Sequence, residues 1–454
     1  MTEVTRPAWA GTRPPRLREE SPGFQSWISQ GWGSREVAAP VDPDAARAAE
    51  AHRARLSAAL PGQAIVLRSG TARNRNGDCD YAFRADSDFV WASSCQAEDA
   101  VLVMTPHSTG HDSVLYLPPP ARPGERDFYA SVAHGELWVG PSAGLEAWSA
   151  ALDLPVRPIS EYTEPSSSAE VAQLLSELRM IKDEWELEQL REAVAATVEG
   201  FAAVAAEVPR AISGNLGERW LQGTFDRHAR TFGNGPGYAT IVGSGPHAPI
   251  LHWVRCDGPV LPGQALLLDM GVEANSLYTA DVTRTIPVGG GFSPEQRQVH
   301  DLVEAAHRAG MDQVRPGGLF SDFHFAAMEV LARGLSDWGL LPVSVDEALA
   351  PEGQQHRRYM CCGTGHHLGL DVHDCDRLEH PEYQGTVLAE GMVLTVEPGL
   401  YFHAHDETVP PELRGIGIRL EDDLLVTSEG HDVLSHALPI DAVGIERWTK
   451  EHTG

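Results

Sequence analysis

The chain has 454 residues, too many for one ordinary core and enough for two domains. Hydrophobic residues make up 42% and charged residues 22%, as expected of a soluble globular protein, and no apolar run approaches the roughly 20 residues that span a bilayer. A formal net charge of −29 repels nucleic-acid phosphates and anionic lipid, which argues against both as partners. The N-terminal stretch MTEVTRPAWAGTRPPRLREE has no apolar h-region, so no secretory signal is expected. Cysteines at 79, 95, 256, 361, 362 and 375 show no CxxC pairing, and a reduced, cytoplasmic setting is the default expectation.

Residues 1–40, rich in Pro, Gly, Arg and Ser, lack a period and read as an N-terminal arm. DPDAARAAEAHRARLSAAL then reads as an Ala-rich helix. AIVLRSG reads as a buried strand opening a smaller α/β unit, continued by short strands in DFVWAS, AVLVM, SVLYLP and ELWVG. EYTEPSSSAE marks a transition. In the following SELRMIKDEWELEQLREAVAATVEGFAAVAAEV, Trp185, Leu190, Val194, Val198 and Phe201 recur at three to five residues and predict a long amphipathic helix. The expected division is an arm at 1–40, an N-terminal domain at 41–173 and a larger domain at 174–454. The larger domain alternates helices with strand-like segments bearing Gly-rich edges: YATIVGSG, ALLLDMG, VLTVEPGLY and GIGIRLEDDLLVT.

Several of those apolar segments carry an acid. Asp269 lies in ALLLDMG, Asp281 in YTADVTRTIPV, Glu397 in VLTVEPGLY and Glu421 in GIGIRLEDD. An ionised carboxylate in an apolar strand costs several kcal/mol unless it is paired or bound to a cation. Arg284 and Arg419 can answer two of the four, and one or two divalent metals answer the remainder. His366, in CCGTGHHLGLDVHD, is a fifth candidate, because imidazole suits Mn, Fe, Co or Zn. Alone it would read as a hydrogen-bonded core histidine. Beside four strand-borne carboxylates it reads as a ligand, and the five together can hold two metals.

These segments, in this order, resemble the metallopeptidase family of aminopeptidase P, prolidase and methionine aminopeptidase, whose catalytic domain has the pita-bread fold. Aminopeptidase P is the most similar branch, since its N-terminal domain is echoed in FRADSDFVWASSCQAEDAVLVM and HGELWVGPSAGLEAW. The resemblance implies an α/β (α+β) protein with a pita-bread catalytic domain behind a smaller α/β domain. It implies that Asp269 chelates one metal, that Asp281 and Glu421 bridge both, and that His366 and Glu397 complete the second. His252 and His373 match two non-ligand histidines near the substrate, and Arg419 matches an arginine that orients acidic ligands or substrate. Asp88 matches a residue that reaches a neighbouring subunit's site in a dimer or tetramer. There are two departures. The first two aspartates are twelve apart where the family has eleven, so one extra residue is expected in a turn around Asn275–Ser276. Cys362, beside Cys361, stands where aminopeptidase P often has a histidine.

The activity implied is hydrolysis of the bond between an N-terminal residue and a following proline by a water or hydroxide bridging two divalent metals. Mn2+ is the first choice of metal, with Co2+, Zn2+ or Fe2+ as alternatives. Glu397 would move the proton and His373 would hold the oxyanion. The rival readings are a prolidase restricted to dipeptides and a catalytically silent peptide-binding module.

Overall fold

The computed structural model describes residues 20–33, 35–166, 168–375 and 385–453. The expected arm lies outside the described residues up to 19. Beyond that it contains α1 (Pro22–Ile28), where the Ser21 hydroxyl accepts the Phe24 N–H at 3.1 Å and Pro22 takes the first helical position. Seven residues are too few to print a hydrophobic period. The chain divides into two compact units, Met1–Glu170 and Val171–Gly454.

In the first unit, α2 (Pro43–Ala59) buries Ala45, Ala49 and Leu56. A four-stranded sheet has the order β1 (Ile65–Arg68), β2 (Val101–His107), β3 (Gly110–Leu117) and β4 (Val156–Pro158). The β3–β4 pairing is parallel and the others antiparallel. Two expected strands are helices. DFVWAS is α3 (Ser87–Ser93), because the Asp86 side chain accepts the Asp88 and Phe89 N–H groups and starts a turn. Every residue of α3 is buried, so its sequence has no polar stripe to tell it from a buried strand. ELWVG is the single turn α4 (Glu136–Val139), and α5 (Leu145–Leu152) follows before β4.

In the second unit, the expected single long helix is two, α6 (Ala172–Met180) and α7 (Glu184–Ser213). Asp183 and Glu186 form a reciprocal capping box that starts α7. Meanwhile the Lys182 N–H leaves the helical pattern to donate to Gly391 at 2.9 Å. The unit is built twice on one plan. First come α7 and α8 (Gly217–Phe232), then β5 (Gly235–Pro236), β6 (Ile241–Ser244), β7 (Ala265–Met270), β8 (Val272–Glu273) and β9 (Val282–Pro287). Next come α9 (Pro294–Met311) and α10 (Asp322–Asp337). They precede β10 (Val393–Val396), β11 (Gly399–Tyr401), β12 (Gly417–Arg419), β13 (Asp422–Val426) and β14 (His431–Val433). The chain closes on α11 (Ala442–Thr453). The sheets are antiparallel, in the orders β9-β7-β6 and β10-β13-β14, with the pairs β11-β12 and β8-β5. Helices cover strands that are buried on both faces, so Leu266, Leu267 and Leu268 run unbroken through β7. Each such leucine contributes about 2 kcal/mol of burial. No helix among the described residues is long and apolar enough to cross a membrane.

Candidate metal centre

The acids stand where ladders begin or break. Asp269 lies in β7 opposite Thr283 of β9 and Ile241 of β6, and Asp281 directly precedes β9. Glu397 lies between β10 and β11, and Glu421 between β12 and β13. Because Val396 pairs with Asp422 and Gly399 with Arg419, the two glutamates occupy the same break between paired ladders. The Glu421 N–H donates to the Thr283 carbonyl at 3.1 Å and ties this break to β9.

Asp269 and Asp281 are joined through a hairpin. Ala274 donates to Tyr278 at 2.8 Å, leaving Asn275, Ser276 and Leu277 as a three-residue loop. Leu277 takes the left-handed conformation at φ 72°, the residue that ends this loop type. The pairing resumes as Ala280 donates to Val272. A Cβ at Gly271 would collide with the Ala280 carbonyl oxygen, so only glycine lets the strands cross here.

Around this hairpin the five candidates converge. His366 Nε2 lies 3.3 Å from Asp281 Oδ2 and 3.7 Å from Glu397 Oε1. Ligand atoms of Asp281, His366 and Glu421 all lie within 4.8 Å of one another. His366 is held by its backbone. Its N–H donates to Thr395 Oγ1 at 3.1 Å, its carbonyl accepts the Thr395 N–H at 2.9 Å, and the Glu397 N–H donates to Thr364 at 2.9 Å. Asp269 accepts from Tyr238 at 2.6 Å and from Arg419. Arg419 also reaches Thr283 and Tyr401 at 3.1 Å each. One Glu421 oxygen accepts from Thr283 at 2.7 Å, and the other is buried with no hydrogen-bond partner among the described residues.

The electrostatics follow from this crowding. Burial raises Glu421 well above the ordinary carboxylate range, and Asp281, Glu397 and Asp269 push it further. Burial raises Asp269 too, although Arg419 opposes the shift. Glu397 is pushed up to about 7 by burial, against the pull of His366 and Arg419. For His366, burial disfavours the charge, but Asp281 and Glu397 outweigh it and lift the imidazole to about 9. Four acids therefore share one guanidinium and one imidazole, and one buried Glu421 oxygen has no hydrogen-bond partner among the described residues. A set of carboxylate oxygens with one imidazole nitrogen fits a divalent cation of borderline hardness.

The other candidates are placed as follows. His373 is exposed and packs edge-on against His366, with ring centroids 4.4 Å apart. His252 is exposed in the loop after β6, and no hydrogen bond or ion pair joins it to the cluster among the described residues. Asp88 is buried in the first turn of α3, in the other unit.

The side chains that support these residues carry little signal in the sequence. Tyr238 and Thr283 carry no signature of their own. Glu218, wholly buried in α8, accepts from Ser244, His247, Trp253 and Gly258 at 2.7–2.8 Å and so pins the loop that bears His252. Asp374 accepts from Lys182 at 3.1 Å and from Arg179, which also reaches Asp371 at 3.0 Å, and so anchors the segment from His366 to His373. A Cβ at Gly369 would meet that carboxylate. The DVHD stretch was a signal for Asp374; its partners, 192 and 195 residues away, gave none.

A twice-built α+β domain with acids and a histidine gathered on its inner strands defines a metal-dependent hydrolase of pita-bread type. Residues 188–428 match the model of metallopeptidase family M24, and residues 49–171 match the aminopeptidase P N-terminal domain. The chain is 44% identical to Xaa-Pro aminopeptidase 2 of Streptomyces coelicolor over 452 residues, covering 93% of this chain and 95% of that protein. It is 42% identical to Xaa-Pro aminopeptidase 1 of the same organism, covering 93% and 90%. Among solved structures, aminopeptidase P from E. coli with the inhibitor Pro-Leu superposes with a TM-score of 0.80 at 27% identity, covering 92% of this chain and 99% of that one. The chain belongs to metallopeptidase family M24 and has the two-domain architecture of the aminopeptidase P branch.

Proposed function

We propose that this chain is an Xaa-Pro aminopeptidase, cleaving an N-terminal residue from a following proline in peptide substrates. The observation that carries this reading is the convergence of Asp281, His366 and Glu421, one of whose buried carboxylate oxygens has no hydrogen-bond partner among the described residues, within a chain 44% identical to a protein of that activity over nearly its whole length. Asp269 would hold one metal, Asp281 and Glu421 both, and His366 with Glu397 the second. Two divalent ions, Mn2+ in our reading, supply Lewis-acid polarisation of the carbonyl and lower the pKa of water in the site.

The chain's own residues do the rest. An X-Pro bond has no N–H for strand-like docking, so the substrate is gripped at its free amine and its proline ring. The acid-rich cluster favours an arriving ammonium group. Glu397 takes the proton of the attacking water and passes it to the leaving proline nitrogen. His373, beside His366, donates to the developing oxyanion. Arg419 holds Asp269 in place, and His252 lines the proline side of the cleft.

We further assign an arm at 1–40, an N-terminal domain at 41–173, a catalytic domain at 174–454, a cytoplasmic setting and a homo-oligomer, dimer or tetramer. Asp88 is buried within a single chain, which counts against its carboxylate making the contact with a neighbour's site. Light scattering that finds a fully active monomer would remove the oligomer. An Xaa-Pro-Yaa tripeptide assayed beside an Xaa-Pro dipeptide tests the activity. Cleavage of the dipeptide alone would turn the reading to a prolidase, and cleavage of neither in the metal-loaded protein would turn it to a silent binding module.

A further inference from the structure

Beside the metal centre lies a pocket of about 600 Å³, walled by α10, the segment around Leu349–Arg357 and residues 360–365. Its wall runs through Thr364 and Gly365 directly into His366, and Thr364 supplies the carbonyl that holds the Glu397 N–H. Two consecutive cysteines, Cys361 and Cys362, line this one pocket. In extended backbone, neighbouring side chains point to opposite faces. Here the chain bends at Cys362, and both residues present themselves to the same space. Both are exposed and free of disulfides. The bend is held by Arg357 of the pocket wall, which donates to the Cys361 carbonyl at 3.0 Å. Met360 adds a third soft atom, its sulfur 4.0 Å from Cys362 Sγ. The hydrolytic chemistry proposed above uses none of these sulfurs.

We propose that Cys361 and Cys362 form a dithiol site for trivalent, thiophilic ligands, of which a trivalent arsenical is the simplest probe, and that filling this pocket hinders peptide cleavage at the adjoining metal centre. Capture is a condensation. Each S–H bond breaks as an arsenic–sulfur bond forms, and the arsenic-bound oxygen of phenylarsine oxide leaves as water with both protons, arsenic staying trivalent. Once one sulfur has bonded, the second bond closes within the molecule, which strengthens capture by about 10²–10⁴ over a single thiol. A phenyl group held there stands in the pocket within a few residues of His366.

Capture rests on the geometry of the thiols alone, whereas obstruction rests on the peptidase reading, and the test separates them. Metal-loaded full-length protein is titrated with phenylarsine oxide and read by intact mass, by peptide mapping and by the rate on an Xaa-Pro-Yaa peptide. The expected result is one adduct joining Cys361 to Cys362, a fall in rate that tracks the adduct, and recovery with a competing dithiol. Cys361→Ser and Cys362→Ser should each need about 10²-fold more reagent, judged against their own untreated rates. Labelling confined to Cys79, Cys95, Cys256 or Cys375, or equal sensitivity in the serine variants, would overturn the site. An adduct at 361–362 with an unchanged rate would overturn the obstruction. A protein inactive before any treatment would count against the peptidase reading, and the mass readout would still decide the site.

Discussion

Glu421 shows how one side chain reports the missing charge. One of its oxygens is satisfied by Thr283 and the other, buried, accepts nothing from the described residues. Leaving a buried polar atom unpaired costs about 1–3 kcal/mol, more if it is charged, so the site is built for a cation. Glu421→Gln keeps the shape and removes the charge. It should lower metal bound per chain, measured by elemental analysis after gel filtration, and unaltered stoichiometry would count against the assignment. Glu397 is placed differently, at the edge of the cluster with its N–H tied to Thr364. Glu397→Ala should lower kcat by at least about 10²-fold, the usual contribution of acid–base catalysis, and a smaller loss would mean that another group moves the proton.

The elements that carry these residues depend on buried anchors. Asp374, itself buried, is paired with Lys182 and Arg179, both buried, and it closes the segment running from His366 to His373. Breaking a buried ion pair from one side costs about 3–5 kcal/mol, because the remaining cations lose their counter-charge. Asp374→Asn should therefore lower the midpoint of urea unfolding strongly, while a shift within error would show that the cations find other partners. Helix α9 holds a second kind of anchor. His300 and His307 are wholly buried, and among the described residues their ring nitrogens make no hydrogen bond, although His307 Nε2 lies 3.4 Å from the Asp422 carboxylate. Burial drives His300 from 6.5 down to about 3, with Arg297 and Arg284 in the same direction and Asp441 against them. The unfolded state therefore takes up a proton that the folded state refuses. Stability falls as pH drops from about 6.5 toward 3 and is unaffected by this residue above that window. His300→Leu should flatten the loss of stability between pH 7 and 5 in chemical denaturation; an unchanged slope would assign it to other groups.

Much of this was legible in the chain. β7 and β13 announce themselves as short apolar runs interrupted by acids, and the turn residues Asn275 and Ser276 mark the hairpin between Asp269 and Asp281. The break at 181–183 was also printed, as Asp183 followed by Glu186, but the apolar period running across it masked the cap. What was not legible is long-range. Lys182 with Asp374, or Glu218 with Ser244 and Trp253, are pairings that only the folded path creates. α3, buried all round, had no alternation to separate helix from strand.

At the scale of the whole molecule, one catalytic unit built twice from helices and antiparallel strands brings acids from four separate segments to one place. A cation that binds only the folded form stabilises it by mass action, so Mn2+ should raise the unfolding temperature of the stripped protein in a concentration-dependent way. A temperature that does not respond would mean that the cluster holds no ion. If this cluster is a metal centre that cleaves Xaa-Pro bonds, the rate on an Xaa-Pro-Yaa tripeptide after exhaustive chelation, and again after Mn2+ is returned, reports it with the fewest intervening steps. Cleavage should be undetectable in the stripped protein and return on addition of Mn2+, with no recovery in Asp281→Asn. Full activity in the stripped protein, or recovery in Asp281→Asn equal to that of the unaltered chain, would contradict it.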